Sequence, residues 1–356
     1  MSFDTIRLEK ELYASGNFTK ALETLDPDTA YKGTPLEGLD AYQRQLKRFD
    51  IKVSGPGSDT VEKFFQTSDS AVLFPEFVAR SVRQGMEQAD ILDRLVATVT
   101  NINSLDYRSV SSVPSEDEKE LKTVLEGAFI PETVIHTKDN LVTLKKRGRS
   151  LVGSYEALKY QRLNVFAVTL RQIGAYISRT LAKDAADVLI NGDGNNNASP
   201  VINSAQNGTL AYADLIALWN SLDPYEMNTM IASPDMMAAI LNMSEFRDAA
   251  AGLTFHGTGK ALTPFGSSLI KSSALAQGTI LGIDKNSALE MVKAGGVLTE
   301  YDKLIDRQLN RAVISCTAGF AKIADGAIGI LSVGLTLTRL FRSFARDTAI
   351  YSRMMM

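Results

Sequence analysis

NVFAVTLRQIGAYISRTLAKDAADVLI, Asn164 to Ile190, runs into the turn Asn191-Gly192-Asp193-Gly194. Its large side chains Phe166, Leu170, Ile173, Ile177, Leu181 and Val188 recur at threes, fours and a seven, the spacing that puts them on one face of an α-helix. Arg171, Arg179, Lys183 and Asp184 fall largely off that stripe. With a rise of about 1.5 Å per residue such a helix is roughly 40 Å long, well above the mean for globular proteins. The spacing predicts a strut around which the rest of the chain is organised. The alternative is a long helix inside an enzyme core.

Composition sets the outer bounds. With 356 residues and 45% hydrophobic content the chain can bury cores of ordinary size, and its length suggests two or three compact units. A net charge of -3 supplies no global field toward nucleic acid or an anionic membrane, so any such attraction must come from local patches. The single cysteine, Cys316, excludes an internal disulfide framework and reads as a buried strand residue; two histidines leave few ligands for zinc. There is no apolar run near the length of a membrane span, and Met1-Ser2-Phe3-Asp4 does not open like a signal peptide. The chain is therefore expected to be made in a cytoplasm, with no membrane partner.

The first seventy residues carry short helical patterns, Thr5 to Ala14, Phe18 to Leu25 and Glu37 to Phe49, divided by Ser15-Gly16-Asn17, Asp26-Pro27-Asp28 and Ser54-Gly55-Pro56-Gly57. No core can form from these alone, so the segment must drape over its own body or embrace a neighbour. Pro75 then opens a helix through Phe77, Val78, Val82 and Met86, and Asp90 recaps a piece with Ile91, Leu92, Leu95 and Val96. A strand is expected over Asn103 to Ser111.

Charges in the next segment separate by sign. Glu116-Asp117-Glu118-Lys119-Glu120 is mostly acidic, and Lys145-Lys146-Arg147-Gly148-Arg149 is basic at every charged position. Between them lie β-prone runs at Thr133 to His136 and Leu141 to Leu144. The simplest geometry is an extended two-limbed loop, one limb acidic and one basic. A lone two-stranded ribbon is marginal in water, so it needs a surface to lie on, and opposite charges on a second copy would steer it there. The other reading is a hairpin packed on its own domain with solvated charges. Glu116, Asp117, Glu118, Glu120, Lys145, Lys146, Arg147 and Arg149 are accordingly the candidate inter-subunit contacts.

From Leu210 to Ser332 short helices and strands alternate: a helix from Tyr212 to Leu222, a strand at Met230 to Ala232, and a cap at Ser233-Pro234-Asp235 leading into Met236 to Leu241. Strands are expected at Ser267 to Ile270, Thr279 to Ile283, Leu289 to Val292, Arg311 to Cys316 and Ala321 to Ile323. This is an α+β body with a mixed or antiparallel sheet. A search for chemistry finds no catalytic site. Gly257-Thr258-Gly259-Lys260 would need its first P-loop glycine at Thr254 and has Ala261 where a hydroxyl is required. Asp193, Asn195 and Asn197 imitate a calcium loop, but Ala198 stands at its glycine and Ser204 at its terminal glutamate; a helix C-cap explains the turn. His136 and His256 lack an assignable nucleophile. No catalytic, cofactor or metal residues are expected.

Three segments in order, Glu126-Gly127-Ala128-Phe129-Ile130-Pro131, Val142-Thr143-Leu144-Lys145-Lys146 and Ser154-Tyr155-Glu156-Ala157-Leu158, stand ahead of the long helix. Together they resemble the extended-loop region of tailed-bacteriophage major capsid proteins of the Hong Kong 97 type. Pro264 to Ile270 with Ala274 to Gly282 resembles that family's axial domain, and Arg311-Ala312-Val313-Ile314 with Ala318-Gly319-Phe320-Ala321 its return to the peripheral domain. The resemblance implies an N-terminal arm (1–70), a peripheral domain begun at 71–112 and resumed at 154–200 and 299–333, an extended β-hairpin loop (113–153), an axial domain (201–298) and a C-terminal extension (334–356). It also implies hexamers and pentamers of the chain in an icosahedral shell around double-stranded DNA, with portal and cement proteins as partners.

Some members carry a removable N-terminal scaffolding region longer than the stretch before Ala71, so an uncleaved arm and a separate scaffold protein are expected. Some join loop lysines to a neighbour's asparagines; Lys119 and Lys138 lie in the corresponding region. The tail from Leu335, amphipathic and basic, would pack on a neighbour or touch DNA. Two alternatives stand beside this reading: an encapsulin-like cellular compartment on the same fold, and a soluble α+β enzyme without a recognisable motif.

Overall fold

The computed structural model describes residues 5–8, 18–104, 106–111, 123–127, 129, 136–247 and 263–334. Along the chain run helices α1 (Phe18–Leu25), α2 (Ala41–Arg48), α3 (Phe74–Gln88), α4 (Leu163–Asn191), α5 (Tyr212–Asn220) and α6 (Pro234–Asn242). The strands are β1 (Thr98–Ile102), β2 (Val110–Ser111), β3 (His136–Thr137), β4 (Lys145–Ser154), β5 (Val201–Asn203), β6 (Thr229–Ala232), β7 (Ser268–Lys271), β8 (Thr279–Ile283), β9 (Leu289–Ala294), β10 (Leu298–Leu304), β11 (Leu309–Lys322) and β12 (Ile328–Ser332). The expected long helix is α4, 29 residues in one piece. Phe166, Leu170, Ile173, Ile177 and Leu181 are buried as the spacing requires, but in the last turn Leu189 takes the buried position and Val188 is only half-buried. Gly192, at φ +87°, ends the helix, and its N–H donates to Val188 O.

The chain divides into two compact units, one of residues 1–90, 146–179 and 295–317, the other of 91–145, 180–294 and 318–356. In the first, α3 crosses the N-terminal half of α4 at two glycines. A Cβ on Gly85 would stand 2.0 Å from Arg171 O, and one on Gly174 2.0 Å from Val82 O, so each helix's backbone occupies the space a side chain would need. Phe64, Phe74, Phe77 and Phe166 form the adjoining aromatic core, with centroids 5.5 to 6.5 Å apart. In the same unit β10 pairs antiparallel with the start of β11, from Leu298↔Ser315 to Leu304↔Leu309.

The stretch expected as an arm is, from Phe18 onward, part of this unit's interior: Phe18, Leu22, Tyr42, Val61 and Phe64 are all buried. Draping over its own body is thus the outcome of the two possibilities left open. The reason is electrostatic as well as apolar: from α3, Arg80 donates to Asp40 Oδ2 (2.6 Å), and Glu76 Oε1 accepts from Thr19 Oγ1 (2.6 Å), while a second cluster holds the segment to itself. Arg44 on α2 is 0% exposed, and its guanidinium donates to Asp26 Oδ2 (2.6 Å) and Asp28 Oδ1 (2.8 Å) while lying 4.2 Å over the Tyr31 ring. Tyr31 OH donates to the remaining Asp26 oxygen. Asp40 caps α2 through a reciprocal bond pair with Gln43, which starts the helix at Ala41 and not at Glu37. Arg44→Met is expected to lower stability by about 3–5 kcal/mol, because it leaves Asp26 buried without its countercharge; urea unfolding monitored by circular dichroism would check this. The helix expected over Thr5 to Ala14 lies mostly outside the described residues.

In the second unit a mixed sheet runs β5-β12-β8-β6-β7, with β12–β8 and β8–β6 antiparallel and the two outer pairs parallel. Leu215 and Leu218 of α5 and Ile240 of α6 join Met230, Ile280 and Leu331 of this sheet in one core. The end of β11, Ala318 to Lys322, pairs antiparallel with β9, which pairs parallel with β1. The strand expected over Asn103 to Ser111 is corrected: pairing falls on β-branched Thr98-Val99-Thr100 and ends at Ile102, resuming only at Val110. The two expected strands Arg311 to Cys316 and Ala321 to Ile323 are one, β11, and Cys316 in it is half-buried, not buried.

Candidate self-association surface

The basic run lies on a strand. Lys145, Lys146, Arg147 and Arg149 occupy the first half of β4, which pairs with β11; the expectation of β-structure at Leu141 to Leu144 is corrected to this later stretch. Lys146 and Arg149 are exposed, whereas Lys145 and Arg147 are half-buried. Lys145 Nζ stands 3.4 Å from Asp184 Oδ1 of α4, so part of its role is internal to the chain. The acidic residues Glu116, Asp117, Glu118 and Glu120 lie outside the described residues, as do Lys119, the loop Gly257-Thr258-Gly259-Lys260, His256 and the tail from Leu335.

Apolar side chains accompany the charges. Leu125 and Phe129, just past the acidic run, are 80% and 89% exposed. On α4, Val165, Val168 and Tyr176 face outward together, since steps of three and eight return to one side of a helix. Arg179 stands 5.7 Å from the Tyr176 ring on the same side. Large apolar residues grouped at a surface mark a place where another molecule docks more often than they mark an accident.

A polar cluster that the sequence did not disclose holds the loop's exit. Lys138 is buried; its Nζ donates to Asp193 Oδ2 (2.8 Å) and to Lys322 O (2.6 Å). Asn140 Nδ2 donates to Gly194 O, and Asn140 N–H to Asn195 Oδ1. Where the sequence imitates a calcium loop, lysine ammonium groups sit instead: Lys138 on Asp193, and Lys322, 0% exposed, 3.7 Å from Asp325. Among the described residues no group of three or more His, Cys, Asp or Glu could hold a metal. The only trace in the sequence was Asp193 in its turn; its lysine partners are 55 and 129 positions away. Lys138, one of the two lysines in the expected cross-linking region, is in this structure paired with Asp193 within its own chain.

Burial raises the Asp193 carboxyl, but hydrogen bonds from Lys138, Asn195 and the Lys322 N–H, with Lys138's charge, hold it on balance below its ordinary 3.8. Its stabilising contribution is therefore complete above that value and is lost as pH falls through the lower folded-state value. Asp193→Asn is expected to flatten this part of the acid limb of a stability–pH curve measured by urea unfolding. Burial likewise pushes the Lys322 ammonium below its ordinary value. Lys322 Nζ stands 2.9 Å from Ser199 Oγ, the spacing of a serine–lysine nucleophile. However, Ser199 Oγ donates its proton to Leu189 O (2.6 Å), and Lys322 also donates to Asn197 O. The pair is thus committed to holding the helix end, and Ser199 is buried beyond a substrate's reach.

Among the described residues no helix is long and apolar enough to cross a membrane. No curated protein matches the chain. Solved structures that share its fold include a virus-like particle from Pyrococcus furiosus (14% identity, 72% of this chain and 98% of that chain, TM-score 0.51) and the capsid of a native GTA particle (14% identity, 68% and 89%, TM-score 0.51). The α+β architecture is therefore the fold that these two structures have. A family model described as phage capsid protein matches residues 137–323, from the loop's exit through α4 and the mixed sheet's strands other than β12 to the end of β11. With more than half of its length matched, the chain belongs to the phage capsid protein family.

Proposed function

We propose that this chain is the major capsid protein of a tailed bacteriophage of the Hong Kong 97 type, and that its copies form the hexamers and pentamers of an icosahedral head around double-stranded DNA. The observation that carries the reading is the exposure of Leu125 and Phe129, together with that of Lys146 and Arg149 on β4. Burying such side chains against a second copy gains about 25 cal/mol per Å2 of apolar surface removed from water. The sign-split segment supplies the register: the acidic residues at 116–120 meet the basic residues of β4 on a neighbour. Assembly takes place in the host cytoplasm on a separate scaffold protein, with a portal at one vertex and a cement protein outside. DNA is held by non-specific phosphate contacts, which carry no sequence preference.

Phe129→Asp together with Leu125→Asp is expected to leave the chain folded and to reduce the yield of sedimenting particles by about tenfold or more, since an interface anchor is commonly worth 2 kcal/mol or above. Sucrose-gradient sedimentation of the expressed chain checks it; wild-type yield in the double variant would contradict the docking role. Digestion of particles made during phage growth with nuclease tests the contents. Protected double-stranded DNA is the expected result, and particles filled with a protein cargo would make the shell a cellular compartment.

A further inference from the structure

The chain enters the stretch 112–135 along residues 98–111 and leaves it along 136–143, and two buried carboxylates each fasten one of these limbs. On the entering limb Thr100 Oγ1 (2.5 Å) and Tyr107 OH (2.7 Å) donate to Glu290 Oε1, and Ser109 Oγ (2.5 Å) donates to Glu290 Oε2. A carboxylate only accepts, so all three hydroxyl protons are committed toward it. Burial and Glu290's charge push the Tyr107 phenol above its ordinary value, which keeps it a donor. On the leaving limb Lys138 reaches Asp193, and the limb's backbone is tied by Asn140 to the same turn. The limbs are also joined to each other: Val110 pairs with Thr137 and Ser111 with His136, Lys138 N–H donates to Ser109 O and Val142 N–H to Tyr107 O, and the Arg108 guanidinium donates to Lys138 O and Asp139 O. A ribbon so short does not hold itself.

We infer that Glu290 and Asp193 form a two-point clamp, one point on each limb, that sets the direction of the joined limbs, so that they meet a second copy already ordered. This rests on the self-association proposed above. Ordering completed at folding is not required again at docking, which is how a pre-set limb favours assembly without adding a contact.

Glu290→Gln keeps the side chain's shape but replaces one acceptor oxygen with an NH2 that cannot accept. Amide hydrogen exchange of the purified full chain is expected to quicken about tenfold over 98–111 and by less over 136–143, while the strands β6, β8 and β12 keep wild-type rates. Lys138→Met with Asp193→Asn removes the second point without stranding a charge, and is expected to quicken 136–143 more than 98–111. Should Glu290→Gln not fold, Thr100→Val with Ser109→Ala withdraws two donors without touching β9 and must loosen the same peptides. Unchanged exchange in both limbs, or an equal rise across β8 and β12, would overturn the clamp. Neither change touches Lys146 or Arg149, so a several-fold lower particle yield in the loosened variants supports the link to assembly, and a wild-type yield overturns it. A wild-type chain that forms no particles would defeat the self-association reading, while the exchange results would still decide the clamp.

Discussion

Gly174→Val is expected to yield no native protein, and Gly174→Ala to lose about 3 kcal/mol or more, although alanine is the better helix former. In an exposed helix that exchange gains about 1 kcal/mol, because glycine costs backbone entropy. Here the new Cβ would lie 2.0 Å from Val82 O and 2.8 Å from Met86 N, both backbone atoms of α3. Side chains can rotate out of a clash; a helix backbone has to translate. Gly85 is the matching position, its Cβ 2.0 Å from Arg171 O, so alanine at Gly85 is expected to have the same sign. Separating the two helices by the missing distance would also pull Phe166 off Phe74 and Phe77, 6.1 and 6.5 Å away. Thermal unfolding followed by circular dichroism decides the matter. A melting temperature for Gly174→Ala at or above wild type would show that the helices do not cross where described.

Reversing Lys146 and Arg149 to glutamate is expected to give a soluble, fully folded chain that does not assemble. Both side chains are exposed, and surface charges of this kind contribute little to folding. Their value is in the encounter: four units of charge change on each copy would set like charges against the acidic limb, and like-charge juxtaposition costs several kcal/mol. Extending the reversal to Lys145 and Arg147 is expected to abolish assembly as well, with some loss of stability, because a glutamate at 145 would face Asp184 in place of the present 3.4 Å pair. The same electrostatics predicts that wild-type assembly weakens as salt rises toward 1 M, where the screening length is about 3 Å. Light scattering of purified chain across a salt series, beside the double variant, checks both. Particle yield equal to wild type in the double variant would refute docking through β4.

The long helix was legible because its large side chains keep a period over many turns; twenty-nine residues leave little room for another reading. β6, β7 and β8 were found from β-branched runs bounded by turns. β12 was missed because all five of its residues are buried, which leaves no alternation to detect. β10, Leu-Thr-Glu-Tyr-Asp-Lys-Leu, was missed because its polar side chains read as loop. The candidate surface was half visible. The basic run announced itself, but its placement on a strand depends on pairing with β11, some 160 residues later, and the spacing of lysines cannot report that. The clusters at Asp193 and Glu290 were invisible for the same reason: Thr100, Tyr107 and Ser109 are unremarkable until folding brings them to Glu290, 181 to 190 positions away. The N-terminal segment carried short helices of ordinary strength, and which surface they cover shows only in contacts to α3 such as Thr19 to Glu76 and Arg80 to Asp40.

Self-assembly is the central claim, and negative-stain electron microscopy of the expressed full chain, with light scattering on the same sample, tests it most directly. Closed shells of uniform diameter built from this chain are the predicted result. A single sharp species at the mass of one or two chains, persisting at high protein concentration and with scaffold protein supplied, would contradict it.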